Sequence, residues 1–254
     1  MNRYFLELSY MGGNYAGFQR QENAITVQSE VEKAFQTLLR QPVELTGSSR
    51  TDAGVHALQN YFHFDIDREI RPSLLYNLNA ILPPDIAARN LIRMPSVAHS
   101  RFDAVSREYR YHIYDRKEPL LRDRAYYFPY SIDWDSMHKA AAILLEYTDF
   151  TSFSKRNTQV KTFICRLEAS AWHCDAAGRH HYYVRGNRFL RGMVRALTAT
   201  MLKVGRGRIS LDEFRAIIEA KDCTRADFAV PAHGLFLEKV NYPDGYFDRA
   251  EILS

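Results

Sequence analysis

An arginine, a hydroxyl, a carboxylate, a glycine and an imidazole fall within seven consecutive residues, Arg50-Thr51-Asp52-Ala53-Gly54-Val55-His56. Only Val55 among them is large and apolar, so burial does not account for the run. A carboxylate can attack as a nucleophile or remove a proton as a general base. Both roles need it ionised, and a neighbouring guanidinium favours that form. Turn chemistry offers a plainer reading, because Gly, Ser, Thr and Asp tolerate unusual dihedrals or bond their own backbone. Function gathers on loops that rigid elements hold in place, so the elements on either side have to decide between the two.

Those elements are legible. Tyr4, Leu6, Leu8 and Tyr10 alternate as a half-buried strand does. Gly12-Gly13-Asn14 breaks the strand, and a polar loop runs through Gln19-Arg20-Gln21 with no Gly-Lys-Ser/Thr to make it a nucleotide P-loop. Val27, Val31, Ala34, Phe35, Leu38 and Leu39 keep helical spacing behind Thr26, a suitable N-cap, and Pro42 ends that helix. A short strand over Val43–Leu45 enters the Arg50–His56 run and a strand over Leu58–Ile66 leaves it. The run is therefore expected on a loop braced by two strands.

Further on, the spacing predicts a helix from Pro72 to about Asn79 and strands over Ile86–Arg93, Arg107–Tyr114, Phe163–Trp172, His180–Arg185 and Leu235–Val240. Helices are expected over Trp134–Tyr147, from Phe189 to about Val204, and over Leu211–Ala220. Arg188, Arg191 and Arg195, spaced by three and four, would line one face of the Phe189 helix, either as a solvated basic face or as a row for phosphates. Strands and helices mix irregularly, which places the fold in the α+β (mixed α/β) class with largely antiparallel sheets. Composition turns basic near residue 100, suggesting an N-terminal domain over 1–103 and a C-terminal one over 104–254.

Charge narrows the partner. Residues 101–210 carry 20 Lys+Arg against 11 Asp+Glu, a net of +9 inside a chain whose total is +4. Such asymmetry points to a polyanion approached through one region. In the same region Tyr109, Tyr111, Tyr114, Tyr126, Tyr127, Phe128 and Tyr130 interleave with six Arg or Lys residues. Phosphate contacts and base stacking need that mixture. No apolar run is long enough to span a bilayer, and the first residues lack a signal peptide's apolar core. Cys165, Cys174 and Cys223 form no CxxC pair, so reduced thiols in the cytoplasm are expected and neither a disulfide framework nor a metal site is suggested. The pair His180-His181 has no further ligand at metal spacing and is read as strand surface.

The residues also carry a resemblance. Ser49-Arg50-Thr51-Asp52-Ala53-Gly54-Val55-His56-Ala57 resembles the catalytic segment of the TruA family of tRNA pseudouridine synthases. Other family features follow in order. They are Tyr15-Ala16-Gly17-Phe18-Gln19-Arg20-Gln21, Arg101-Phe102 with Arg107-Glu108-Tyr109-Arg110-Tyr111, and Asp149-Phe150-Thr151-Ser152-Phe153. Phe189 with Met193-Val194-Arg195, Ala232-His233-Gly234-Leu235 and Val240-Asn241-Tyr242-Pro243 complete the series, which spans nearly the whole chain. Three positions depart from the family pattern: Ser49 stands where glycine is usual, Met11-Gly12-Gly13 replaces a common Asp-Gly-Thr, and Phe18 replaces a common tryptophan.

The resemblance implies two α/β domains flanking a basic RNA-binding cleft and an isomerase that converts uridine to pseudouridine in the anticodon stem-loop of tRNA. It implies no metal or organic cofactor, and a homodimer. Asp52 becomes the catalytic nucleophile or base, with Arg50 or Arg195 keeping it charged. Tyr109 becomes the residue that stacks on a flipped uridine. Arg50 and Arg195 are expected in substrate binding, and Arg20, His56, Arg188 and Arg191 in RNA contacts. The competing reading is a catalytically silent RNA-binding or chaperone-like module on the same scaffold. A hydrolase using Asp52 with His56 stands further off, because no serine–histidine or metal arrangement supports it.

Overall fold

The computed structural model describes residues 1–156, 160–248 and 250–253. In chain order it contains β1 (Asn2–Tyr10), α1 (Val27–Leu39), β2 (Thr46–Gly47), β3 (His56–Ile66), α2 (Ser73–Ile81), β4 (Ile86–Met94), β5 (Ser106–Tyr114) and β6 (Tyr126–Tyr127). Then come α3 (Trp134–Ile143), β7 (Leu167–Cys174), β8 (His180–Gly186), α4 (Met193–Gly205), α5 (Leu211–Glu219), β9 (Leu235–Asn241) and β10 (Glu251–Ile252). Two compact units form, Met1–Val105 with Leu237–Ser254 and Ser106–Phe236.

In the first unit β1 lies between β3 and β4, antiparallel to both, with β10 outside β4 and the short β2 along β3. Pairing on both edges satisfies its backbone, and side chains on both faces are covered as well, so β1 departs from simple alternation and is buried from Tyr4 to Tyr10. The polar members Glu7 and Ser9 are 9% exposed. Glu7 stays paired there, accepting bonds from Gln59 Nε2, Tyr61 OH and Asn90 Nδ2 at 3.0, 3.1 and 2.7 Å, as a buried polar group must. Thr26 caps α1 through a reciprocal box with Ser29, and the helix closes at Arg40, in the left-handed region (φ 55°), two residues ahead of Pro42. Phe35 of α1 meets Phe64 of β3 with ring centroids 4.7 Å apart. Each such fully buried ring contributes about 1.5–3 kcal/mol.

In the second unit β8 lies between β5 and β7, antiparallel to both, and β6 runs parallel to β5. The expected alternation in β5 holds: Tyr109, Tyr111 and Ile113 are buried while Arg110, His112 and Tyr114 are half-buried. Met137, Ala140 and Ala141 of α3, Leu197 and Met201 of α4 and Phe214 of α5 are at most 1% exposed and supply the core. Ser210 caps α5 with Glu213 in a second reciprocal box. The described residues form a mixed α/β structure with mostly antiparallel strands and five α-helices.

Besides the strand expected over Phe163–Trp172, which is Leu167–Cys174, three element expectations shift. The strand before the Arg50 run is Thr46–Gly47, not residues 43–45. The Trp134 helix ends at Ile143 and tightens into a 3₁₀ turn over Leu144–Glu146. The third shift bears on function. Gly192, at φ 74°, interrupts the backbone, so α4 begins at Met193 and not at Phe189. Arg188 and Arg191 therefore precede the helix, and the expected face of three arginines keeps only Arg195.

Candidate active site

The Arg50–His56 run leaves β2 and returns as β3, whose register pairs Thr46 with His63 and Gly47 with Phe62. Between them a layer of buried polar groups fixes the loop. The Ser48 backbone N–H donates to the Tyr61 carbonyl at 2.8 Å, and the Ser48 hydroxyl bonds Asn60 Oδ1 at 2.8 Å. That leaves the Asn60 amide nitrogen to donate to the Ser49 carbonyl at 3.0 Å and to Tyr10 OH at 3.2 Å. Tyr10 OH in turn bonds Thr51 Oγ1 at 2.9 Å. Asn60 is fully buried and Tyr10 is 4% exposed. Burial pushes the Tyr10 phenol up to about 12, so it keeps its proton. Asn60 and Tyr10 are site residues that strand alternation does not reveal. The sequence offers no clear signal for either, since Asn60 is one of several polar residues in its strand, beside Gln59, His63 and Asp65.

The backbone does the rest. Asp52 accepts the Val55 N–H at 3.1 Å, closing a turn in which Gly54 has φ 80°. Thr51 carbonyl accepts the Phe18 N–H at 3.0 Å. Gly12 N–H donates to His56 Nδ1 at 2.9 Å, so that nitrogen carries no proton. Gly12 also lies against Val55, where an added Cβ would stand 2.0 Å from the Val55 carbonyl oxygen. Through these contacts Thr51, Val55 and His56 are buried while the Asp52 side chain remains half-buried and Arg50 is exposed. Chemically, the loop is a fixed mount for one accessible carboxylate.

Several expected residues take different places. Arg50 is exposed and Asp52 half-buried, two positions apart on the loop. His56 is 1% exposed and holds Gly12, so its observed work is inside the loop. Arg20 is exposed, 3.6 Å from Glu32, on the loop that Gln28 Oε1 fixes through the Arg20 N–H. Phe18 is 3% exposed and packs on Phe62 at 4.7 Å, making it a core residue under the loop. Ser49 is 8% exposed, and its hydroxyl has no hydrogen-bond partner among the described residues.

The second unit carries Tyr109 and Arg195. Tyr109 lies opposite Val184 on β5, 8% exposed, with the Phe189 ring edge-on at 5.0 Å. Arg195, in the first turn of α4, donates from Nε and Nη2 to the Val230 carbonyl at 3.0 and 2.7 Å. Tyr111 OH donates to the next carbonyl, Pro231, at 2.7 Å. Gly234 lies under the Tyr111 ring, where a Cβ would be 2.7 Å from it. Arg188 is half-buried and Arg191 exposed. The Asp149–Phe153 segment is structural: Asp149 caps Thr151 and pairs with Lys221 at 3.0 Å, while Phe150 and Phe153 are fully buried. His180 and His181 lie on β8, and among the described residues no group of three or more His, Cys, Asp or Glu is placed to hold a metal ion. No helix of the described residues is long and apolar enough to cross a membrane.

One histidine beside the loop sets an acid limit. His63, opposite Thr46, is 6% exposed, and Nδ1 accepts the Ser100 N–H. Burial first, then the charges of Arg3 and His99, lower its pKa to about 4. The unfolded chain takes up a proton on this ring near its ordinary value of about 6.5, while the folded protein does not. Stability from His63 is thus complete above about pH 6.5 and declines as pH falls towards 4. His181, also lowered to about 4 chiefly by burial, adds in the same direction. The thermal midpoint is expected to fall between pH 7 and pH 5; a midpoint that is flat across that interval would contradict the assignment.

Known proteins place the chain. A family model described as tRNA pseudouridine synthase matches residues 140–243. The chain is 44% identical to a Parabacteroides distasonis protein named tRNA pseudouridine synthase A, over 97% of this chain and 98% of that one. A Porphyromonas gingivalis protein of the same name is 42% identical over 97% and 100%, and a Staphylococcus aureus one 37% identical over 99% and 94%. Identity at this level over nearly the full length, with the Arg50–His56 run folded as a braced loop, is decisive: the chain belongs to the TruA family of tRNA pseudouridine synthases.

Proposed function

We propose that this protein isomerises uridine to pseudouridine in the anticodon stem-loop of tRNA, with Asp52 as the catalytic carboxylate. The observation that carries the reading is the mount just described, which holds one half-buried carboxylate on a loop bonded at Ser48, Ser49, Thr51, Asp52 and Val55. In the reaction the bond from ribose C1′ to uracil N1 breaks, the base turns, and C1′ joins C5. The C5 proton leaves to solvent and N1 gains one, so atoms and charge balance. Asp52 acts as a nucleophile or as the base that removes a proton. Tyr109 stacks on the flipped uridine, and Arg50 and Arg195 bind the substrate. Arg20, Arg188 and Arg191 contact the RNA backbone, and His56 contributes by holding the loop. The protein works in the cytoplasm as a homodimer and needs neither metal nor organic cofactor.

Uridine tritiated at C5 in tRNA supplies the test, since every turnover moves one tritium into water. Release from tRNA with single uridines restored in the anticodon arm identifies the target, and absence of release from every tRNA offered would favour the silent RNA-binding module. Within this reading Tyr10 is a positioning residue acting through Thr51. Tyr10→Phe deletes one buried oxygen, with an expected stability loss of about 1–2 kcal/mol. It is also expected to reduce kcat on the order of ten-fold with KM nearly unchanged, because only the loop next to the carboxylate loosens. Thr51→Ser, which keeps the hydroxyl, should retain activity that Thr51→Val loses. An effect of Tyr10→Phe on stability alone would remove the positioning role.

A further inference from the structure

Phe102 stands on a turn that is fastened far more firmly than an exposed apolar residue requires. The ring residue is 75% exposed. Single exposed apolar side chains are ordinary on protein surfaces, so exposure alone decides nothing. The mounting is the unusual feature. His99 Nδ1 accepts the backbone N–H groups of Arg101 and Phe102 at 3.1 and 3.3 Å. His99 and Asp103 clasp each other, with Asp103 N–H donating to the His99 carbonyl at 3.1 Å and His99 N–H to Asp103 Oδ2 at 2.8 Å. Tyr246 OH adds a bond of 2.6 Å to the same Asp103 oxygen, and Tyr242 OH one of 2.6 Å to the Ser100 carbonyl. The His99 ring lies 4.2 Å from the Phe102 ring and 4.5 Å from buried His63. The ring is thus the outer member of a His63–His99–Phe102 cluster, edge-on between the histidines and tilted at Phe102, that is rooted in the core.

Two further observations say what such a ring meets. The Arg101 guanidinium lies 5.8 Å from the Phe102 centroid, so a cation accompanies the aromatic face. Arginine next to an aromatic plane matches a nucleotide, one group for the phosphate and the other for the base. The turn is also tied to the Asp52 loop: the Ser100 hydroxyl donates to the Thr46 carbonyl at 2.9 Å, and Thr46 is the residue of β2 from which the loop departs two positions later. A ring held rigidly in the orientation it uses loses little entropy on binding.

We propose that Phe102 is a stacking platform for a nucleobase of the RNA substrate, with Arg101 on the adjoining phosphate. The inference rests on the reading of the chain as a tRNA-modifying enzyme and adds a contact to it. Base stacking on an aromatic is worth about 1–3 kcal/mol by alanine substitution. Phe102→Ala and Phe102→Leu are therefore expected to raise the Kd for tRNA at least about five-fold. Phe102→Trp restores it, and the thermal midpoint stays unchanged. The leucine variant separates stacking from simple apolar contact, since it keeps bulk and loses the plane. Equal tRNA affinity in the alanine variant and the unmodified protein would overturn the inference. Loss of a dimer in sedimentation with affinity per chain preserved would overturn it too, showing that a second copy covers the ring. The binding comparison stands apart from tritium release by the unmodified protein, so failure of the stack and failure of the proposed activity are read separately.

Discussion

Asp52→Asn is expected to stop tritium release, by on the order of 10⁴-fold or more, while tRNA affinity stays within about two-fold. The amide has the shape of the carboxylate but neither attacks carbon nor accepts a proton at neutral pH. The backbone bonds that shape the loop are kept. The turn rests on the Asp52 backbone carbonyl, which accepts the Val55 N–H, and the network beneath it runs through Ser48, Ser49 and Thr51. The expected signature is a loss confined to kcat with an unchanged thermal midpoint. Asp52→Ala should behave alike. Release by either variant at a rate near that of the unmodified protein would show that the carboxylate is a turn residue after all.

Gly12→Ala is expected to be nearly as damaging, for a different reason. Its Cβ would stand 2.0 Å from the Val55 carbonyl oxygen and 2.6 Å from the carbonyl carbon. These are backbone atoms of the loop's last turn, so no side chain can swing aside. The strand end or the loop has to move, and the bond from Gly12 N–H to His56 Nδ1 goes with it. Overpacking of this kind should cost about 3 kcal/mol or more and displace Asp52 enough to abolish measurable turnover. Gly13→Ala is the matched control, because a Cβ there meets nothing within 4 Å. Thermal unfolding and tritium release of the two variants side by side decide the point. Similar behaviour of both would remove the close approach from the account.

The strong period-2 and helical patterns were legible in the chain because they come from burial on one face. β4, β5, β8 and β9 lie within a residue or so of the expected spans. What escaped depends on single backbone choices or on contacts distant in sequence. Phe189, Met193, Leu197 and Met201 keep helical spacing straight through Gly192, and only its left-handed backbone shows that the helix starts after it. A strand as short as Thr46–Gly47 has too few residues to alternate, and so has β10. β1 reads as half-buried because Glu7 and Ser9 are polar, whereas both are buried among partners on β3 and β4.

The candidate site divides in the same way. Asp52 and Arg50 stood out by residue type and spacing, which local chemistry carries. Tyr10, 50 positions from Asn60 and 41 from Thr51, reads as one more strand tyrosine until the sheet brings the three together. His56, in the same run, reads as structural or RNA-contacting, and it is 1% exposed with Nδ1 accepting the Gly12 N–H.

Nucleoside analysis of tRNA after incubation with the unmodified protein tests the central claim most directly. The account predicts that each uridine lost from the anticodon arm reappears as one pseudouridine, with the RNA mass unchanged and no free base released. Free uracil with an abasic ribose would instead identify Asp52 chemistry as hydrolysis and contradict the account.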